Sequence, residues 1–328
     1  MTLGVVIPCH RQERFLPRTL AALERALAGR SWRGALVVAS RGGEPLPALS
    51  ERWQVIAPPV QRPLTPGAAR MLGFAACGGE WVLFVVADVE VDEAWVTAAL
   101  AVAAVTPALG GLWGRLEEWF EEQRRERPGA RDLYRVGDAE RRTSYMATLA
   151  LYRREALLQA GGYDPRLSSE EDFELGLRLT GMGLELRSLG QRAARHWSAP
   201  RPSFAELSRR WRTGLCFGQG QVLRLYLGRT GFGAMLRRQW LNLGTLALWV
   251  LGVVALGLAL TIGSPRPLAL WALLLLGTIA AMGVRKRSPR LGLLSVLTWT
   301  VQGFGLVVGW FRLPGDGHAS PPAAEARC

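Results

Sequence analysis

Asp88, Glu90, Asp92 and Glu93 crowd together at the end of the apolar run Trp81 to Ala87, in the stretch WVLFVVADVEVDEAW. Clustered carboxylates bind hard divalent cations and, through them, phosphates. In open α/β sheets such ligands gather at the C-terminal ends of the strands. Acidic residues also favour the first turn of a helix, where they meet the positive end of its dipole. The stretch by itself leaves both readings open: a metal and phosphate site, or an ordinary strand-to-helix turn. Thiol chemistry fits less well. Cys9, Cys77, Cys216 and Cys328 contain no C-x-x-C pair, which gives neither a zinc site nor a disulfide framework.

The elements that must position these carboxylates read as alternating strands and helices. Leu3 to Ile7, Ala35 to Ala39, Val55 to Ala57 and Trp81 to Ala87 are short apolar runs suited to buried parallel strands. Between them, Leu16, Leu20, Leu23 and Leu27 recur at helical spacing. Thr65 and Pro66 form a cap and first turn for a helix reaching about Cys77, and Glu93 to Val105 reads as another helix. This alternation predicts a mostly parallel, doubly wound sheet. Residues 117–142 are rich in both charges and read as a solvated loop or exposed helix. A short strand follows at Thr148 to Tyr152, then a helix carrying Glu155 to Gln159. Ser168 or Ser169 is placed to cap a helix through Phe173 and Leu179, and a basic helical stretch covers Ser203 to Tyr226.

The chain of 328 residues carries a net charge of +13, which suits nucleic acid, an anionic membrane surface or phosphorylated substrates. Of the 40 basic residues only Lys286 is lysine, a skew that reads as compositional bias rather than as dozens of selected guanidinium sites. No nucleic-acid motif accompanies the charge, so no nucleic-acid partner is expected. The N-terminus, MTLGVVIPCHRQER, is too short in its apolar run for a signal peptide.

Apolar residues concentrate at the end of the chain. Leu241 to Ile262, Leu268 to Val284 and Leu291 to Phe311 contain 22, 17 and 21 residues without a charge, against the ~20 needed to cross a bilayer. Arg224, Arg229, Arg237 and Arg238 precede the first span, and Arg285, Lys286, Arg287 and Arg290 lie between the second and third. Only Arg266 lies between the first and second. Positive charge marks the cytoplasmic side, so the N-terminal region and the 285–290 loop are expected in the cytosol and the tail outside. The protein reads as multi-pass in the cytoplasmic membrane.

A cytosolic α/β domain tethered to a membrane, with acids at a strand end, resembles the family 2 glycosyltransferases of GT-A fold. The resemblance covers about residues 3–215 and rests on VVIPCHRQERFL, TPGAARMLGFAACGGEWVLFVVADVEVDEAWV and GGYDPRLSSEEDFELGLRLTGMGLEL. It implies a GT-A catalytic domain over 1–226, including a basic interfacial helix from about 203. A membrane region over 227–312 and a disordered tail over 313–328 complete the expected organisation.

The resemblance further implies a nucleotide-sugar donor, with Pro8, His10 and Glu13 along the base and ribose and Arg70 at the diphosphate. It implies a divalent cation, Mg2+ or Mn2+, held by Asp88, with Glu90 replacing the acid missing from Val86-Ala87-Asp88 and His196 as a third ligand. Asp172 matches the family's general base, supported by Glu171. Arg210 and Trp211 partly match a Q-x-x-R-W motif, with Leu207 where the glutamine would be, which argues against a processive polysaccharide synthase. Ala39-Ser40-Arg41 lacks the aspartates that relatives place after the second strand. The expected function is membrane-anchored inverting transfer of a sugar to a lipid or lipid-linked acceptor. The alternatives are a catalytically silent membrane scaffold of the same fold and a processive synthase.

Overall fold

The computed structural model describes residues 1–40, 42–58, 64–122, 125–198 and 204–312. The chain divides into two compact units, 1–200 and 201–313. The division falls within 199–203, outside the described residues.

The first unit is built on β1 (Leu3–His10), α1 (Leu16–Ala26), β2 (Trp32–Ser40), β3 (Trp53–Ile56), α2 (Pro66–Ala76), β4 (Trp81–Val85), β5 (Val89–Val91) and α3 (Glu93–Val105). It continues with β6 (Leu109–Glu122), β7 (Arg125–Pro128), β8 (Arg141–Arg142), β9 (Leu149–Arg153), α4 (Arg154–Ala160), α5 (Glu171–Gly181) and β10 (Glu185–Ser198). All ten strands join one sheet in the order β3-β2-β1-β4-β9-β6-β10-β5, with β7 on β6 and β8 on β10. Along this path β9 and β5 run against the rest, so the sheet is mostly parallel as the alternation predicts.

Alternate residues of the central strands feed two cores. Val5, Ile7, Leu83 and Val85 pack with Leu16, Leu20 and Leu23 of α1 and with Trp95 and Ala99 of α3. Val6, Val82 and Phe84 face the other way, toward Phe74 of α2 and Leu175 and Leu179 of α5. Each large side chain buried this way contributes about 1.5–3 kcal/mol. Together they make the two helical layers rigid supports for the strand ends.

Thr65 caps α2 as expected, its Oγ1 accepting from Ala68 N at 3.1 Å, and Pro66 occupies the first turn. Other expectations are corrected. Residues 117–122 and 125–128 are strands rather than a solvated loop or helix, whereas 129–140 form a loop as expected. Leu116, Glu118 and Phe120 are buried between more exposed neighbours, the period of two of a strand, and β6 pairs with β10 before turning back as β7. Charged residues on the outer face hide that alternation. The same segment then turns Leu133, Tyr134 and Val136 into the cores. The residue preceding α5 is Glu170, in the left-handed region at φ 67°, rather than either serine.

The second unit contains α6 (Phe204–Arg212), α7 (Gly218–Tyr226), α8 (Phe232–Arg238), α9 (Trp240–Ile262), α10 (Arg266–Arg285) and α11 (Pro289–Phe311). The basic stretch is therefore two helices, and both group with the apolar helices in the second compact unit. Glycine explains the grouping. A Cβ on Gly220 of α7 would overlap the Leu306 carbonyl of α11, and one on Gly309 would overlap the Phe217 carbonyl. α9, α10 and α11 are long and apolar enough to cross a membrane, with mean hydropathies of 2.3, 2.0 and 1.7. Trp249 Nε1 donates to Thr300 Oγ1 at 3.0 Å, and Trp271 Nε1 to the Leu248 carbonyl at 2.9 Å, so their indole N–H groups are satisfied within the helices. The tail from 313 lies outside the described residues.

Candidate active site

The four opening carboxylates part company in the structure. Asp92 caps α3, its Oδ1 accepting from Ala94 N at 3.0 Å while Oδ2 pairs with Arg192, and Glu93 occupies the first turn. These two are an ordinary helix start. Glu90 accepts from Trp197 Nε1 at 2.7 Å and lies 4.0 Å from Arg18. β5 pairs Glu90 with Arg195 and Val89 with His196, so Glu90 occupies the strand face opposite His196. It is not brought to Asp88 as a replacement ligand.

Asp88 alone turns inward, 7% exposed, at the turn between β4 and β5. Its Oδ2 accepts from Gln12 Nε2 at 2.6 Å, and its Oδ1 faces His196 Nε2 at 3.5 Å. That Oδ1 is buried without a hydrogen-bond partner. Burial pushes the carboxyl above its ordinary range, opposed by His196 and by the Gln12 donor. The other ring nitrogen of His196, Nδ1, is 3.0 Å from Ser198 Oγ, which fixes the ring. Asp88 and His196 thus come together as expected. Among the described residues no three carboxylate, imidazole or thiol groups converge.

β1 delivers the other side of the site. Pro8 is buried within the strand opposite Val37, and His10 ends it. Burial, aided by the charge of Arg70, lowers the His10 pKa to about 4, so its ring is neutral at ordinary pH. Its Nε2 is buried without a partner. Glu13 is almost fully buried, and its Oε1 accepts from Gly42 N at 2.6 Å, which latches the loop after β2 to the start of α1. That carboxylate is occupied by the fold.

Arg70, expected at the diphosphate, pairs with the acids that open α5. At 6% exposure on α2, it places Nη1 2.5 Å from Glu171 Oε1 and Nη2 3.6 Å from Asp172 Oδ2, with its guanidinium 4.9 Å from the centre of the Tyr163 ring. Burial opposes the arginine's charge, but Asp172, Tyr163 and Glu171 together hold its pKa above the ordinary value. Asp172 follows Glu171 in the first turn of α5. Burial lifts its carboxyl to about 7, Arg70 pulls it down, Glu171 and Glu170 push it up, and the Tyr163 hydroxyl pulls it down. Its Oδ1 is buried without a hydrogen-bond partner. A carboxylate with one held and one free oxygen, poised near neutrality, is suited to accept a proton.

Three non-glycine residues with positive φ flank these groups: Arg11 after β1, Thr148 before β9 and Glu170 before α5. Such conformations cost about 1–3 kcal/mol and cluster at functional sites. Gln12 and Tyr163 are site residues that sequence reasoning missed as such. Tyr163 stood in the quoted Gly-Gly-Tyr-Asp segment, whereas nothing in the spacing marked Gln12. Arg210 and Trp211 lie on α6 in the second unit, where Trp211 packs edge-on against Phe217 at 5.2 Å.

The family model described as Glycosyl transferase family 2 matches residues 4–160. Among solved structures, the mannosyltransferase PcManGT from Pyrobaculum calidifontis, in complex with GDP-Man and Mn2+, is similar at a TM-score of 0.59 and 17% identity. The likeness covers 96% of this chain and 87% of that one. S. aureus TarS 1-349 in complex with UDP-GlcNAc follows at a TM-score of 0.47 and 15% identity, covering 78% of this chain and 81% of that one. Against another structure of the same TarS fragment the coverage is 60% of each chain, at a TM-score of 0.44 and 15% identity. No curated protein matches the sequence. Residues 4–160 thus match the family 2 glycosyltransferase model, on a GT-A fold that is followed by three apolar helices of membrane-spanning length.

Proposed function

We infer that the protein is a membrane-anchored inverting glycosyltransferase that moves a sugar from a nucleotide-sugar donor to a lipid or lipid-linked acceptor. One observation carries this reading: Asp172, half-buried at the start of α5, keeps a carboxylate oxygen without a hydrogen-bond partner and a pKa raised to about 7. The acceptor hydroxyl loses its proton to that oxygen as the new bond to the anomeric carbon forms and the bond to the diphosphate breaks. Attack from the face opposite the leaving group inverts the anomeric centre. Glu171 is tied to Arg70 and supports the base without sharing its role.

The nucleotide lies over the C-terminal ends of β1 and β2, as ligands do in open α/β sheets. His10, neutral and with Nε2 unpartnered, is a group there that can meet it by hydrogen bond. A divalent cation fits the pair of Asp88 and His196. The buried, unpartnered Asp88 Oδ1 lacks a partner that a cation supplies, and two protein ligands leave positions for phosphate oxygens, as Mg2+ sites do. When bound, the cation acts as a Lewis acid that neutralises the departing diphosphate. The three apolar helices keep the site beside an acceptor that cannot leave the bilayer, with the arginine-rich flanks on the cytosolic side. Arg210 and Trp211 remain proposed acceptor or diphosphate contacts.

Calorimetry on the full chain in detergent, with UDP-GlcNAc and GDP-mannose among the donors and Mn2+ present or chelated, tests the reading. One donor is expected to bind with Mn2+ and to lose at least tenfold in affinity on chelation or in Asp88→Ala. Glu90→Ala is expected to bind normally, since its carboxylate serves Trp197. Absence of donor binding by a folded protein would favour the silent scaffold.

A further inference from the structure

A nearly buried guanidinium needs compensation from every side, and what surrounds Arg70 shows where its charge acts. Its two terminal nitrogens face the two carboxylates of one helix start, Glu171 at 2.5 Å and Asp172 at 3.6 Å, and its flat side covers Tyr163. Three separate elements hold this arrangement. α2 carries Arg70 and is capped by Thr65, whose hydroxyl also donates to the Pro165 carbonyl at 2.7 Å. The turn after α4 carries Tyr163. α5 carries the acids, and its Arg178 donates to the Ala160 and Gly162 carbonyls, tying α5 to that turn. A Cβ on Gly67 would stand 2.5 Å from the Asp164 carbonyl, so α2 and the turn meet backbone to backbone.

We propose that Arg70 is a positioning residue for Asp172, holding one carboxylate oxygen so that the other stays charged and free for the acceptor, rather than a ligand of the donor diphosphate. This rests on the reading of Asp172 as the base and adds what keeps that base in its working form. The groups acting on Asp172 are Arg70 from α2, Glu170 and Glu171 at the start of α5, Tyr163 from the turn, Tyr152 from β9 and Tyr134 from the loop after β7. The three phenols have pKa values raised by burial and remain neutral. The two glutamates oppose ionisation, and Arg70 is the cation among the six. Without it, burial and the neighbouring acids are opposed by the Tyr163 hydroxyl alone among these groups, and Asp172 holds its proton to higher pH.

The test is a direct titration. The full chain in detergent micelles is labelled with 13C at the aspartate carboxyl carbon, and Asp172→Asn identifies the Asp172 signal. The signal is expected to titrate near 7 in the unmodified protein. Its midpoint is expected to rise by at least one pH unit in Arg70→Gln, and by less in Arg70→Lys, which keeps the charge without the fork. Tyr163→Phe keeps the ring under the guanidinium but removes the hydroxyl that favours the charged form. It is expected to shift the midpoint upward by a smaller amount, which supplies a second readout if Arg70→Gln fails to fold. An unchanged midpoint in folded Arg70→Gln or Arg70→Lys, accompanied by a tenfold loss of affinity for UDP-GlcNAc or GDP-mannose, overturns the proposal in favour of a diphosphate contact. The two readings fail separately. If Asp172→Asn still transfers sugar while Arg70→Gln shifts the midpoint, the base assignment falls and the coupling stands; if Asp172→Asn is inactive and the midpoint does not move, only the coupling falls.

Discussion

At the scale of residues, the base role proposed for Asp172 ties catalysis and stability to pH in opposite senses. Its carboxyl moves from 3.8 in the unfolded chain to about 7 in the fold, chiefly through burial. Between those values the folded state binds the proton and the unfolded state does not. The stability this contributes is full below about 4 and is lost as pH rises through about 7. Base catalysis needs the ionised form, so turnover is expected to rise with pH through the same midpoint. Asp172→Asn removes the charge that burial opposes. Its melting temperature at pH 8 is expected to equal or exceed that of the unmodified protein, which thermal unfolding at pH 5 and pH 8 checks, while turnover falls about 10²–10⁴-fold. A helix-stabilising role alone would give the reverse, lower melting and near-normal turnover. Asp88 and Asp172 were legible in the sequence because one closes a plain apolar strand run and the other opens a helix whose period is plain. Glu90 was not. Which face it takes depends on the turn after β4 and on pairing with β10 more than 100 residues away. Arg70 was equally out of reach, since its partners lie 101 residues on.

Between residues and the whole molecule stand the elements that hold these groups. α2 is the element whose local signals were clearest, and its cap is also a tertiary contact, from Thr65 to Pro165. Thr65→Ala therefore removes more than a cap. An N-cap loss costs about 0.5–2 kcal/mol, and chemical denaturation of the N-terminal unit in the full chain is expected to show a loss at the upper end of that range. A loss confined to the lower end would mean that the Pro165 contact contributes nothing. The α7–α11 contact makes a sharper case. Gly309→Ala places a methyl against the Phe217 carbonyl, where only backbone displacement gives room. A drop in melting temperature of the detergent-solubilised protein is expected, whereas Gly257→Ala, with open space around its Cβ position, is expected to be neutral. The strands of the first half were readable because burial on both sheet faces makes them continuous apolar runs. β6 was hidden by the charges on its outer face, and α7 was read with the catalytic domain because close packing of glycines leaves no hydrophobic period to follow.

For the molecule as a whole, the charge asymmetry around the three apolar helices fixes an expected orientation. Reporter fusions or cysteine labelling should find the N-terminal unit and residues 285–290 in the cytosol and residues 313–328 outside. A cytosolic tail would mean that one of the three helices, α10 being the shortest at 20 residues, does not cross. Sidedness matters to the proposed function because the donor must be supplied on the side of the membrane where the N-terminal unit lies. The most direct test supplies membranes containing the full chain, or its Asp172→Asn variant, with a panel of labelled nucleotide sugars that includes UDP-GlcNAc and GDP-mannose, and follows label into the lipid extract. One donor is expected to label lipid, and the variant to lose about 10²–10⁴-fold of that transfer at equal folded protein. Transfer from none of the donors by folded protein, or more than about a tenth of normal transfer by Asp172→Asn, well above what loss of a general base leaves, would contradict the account.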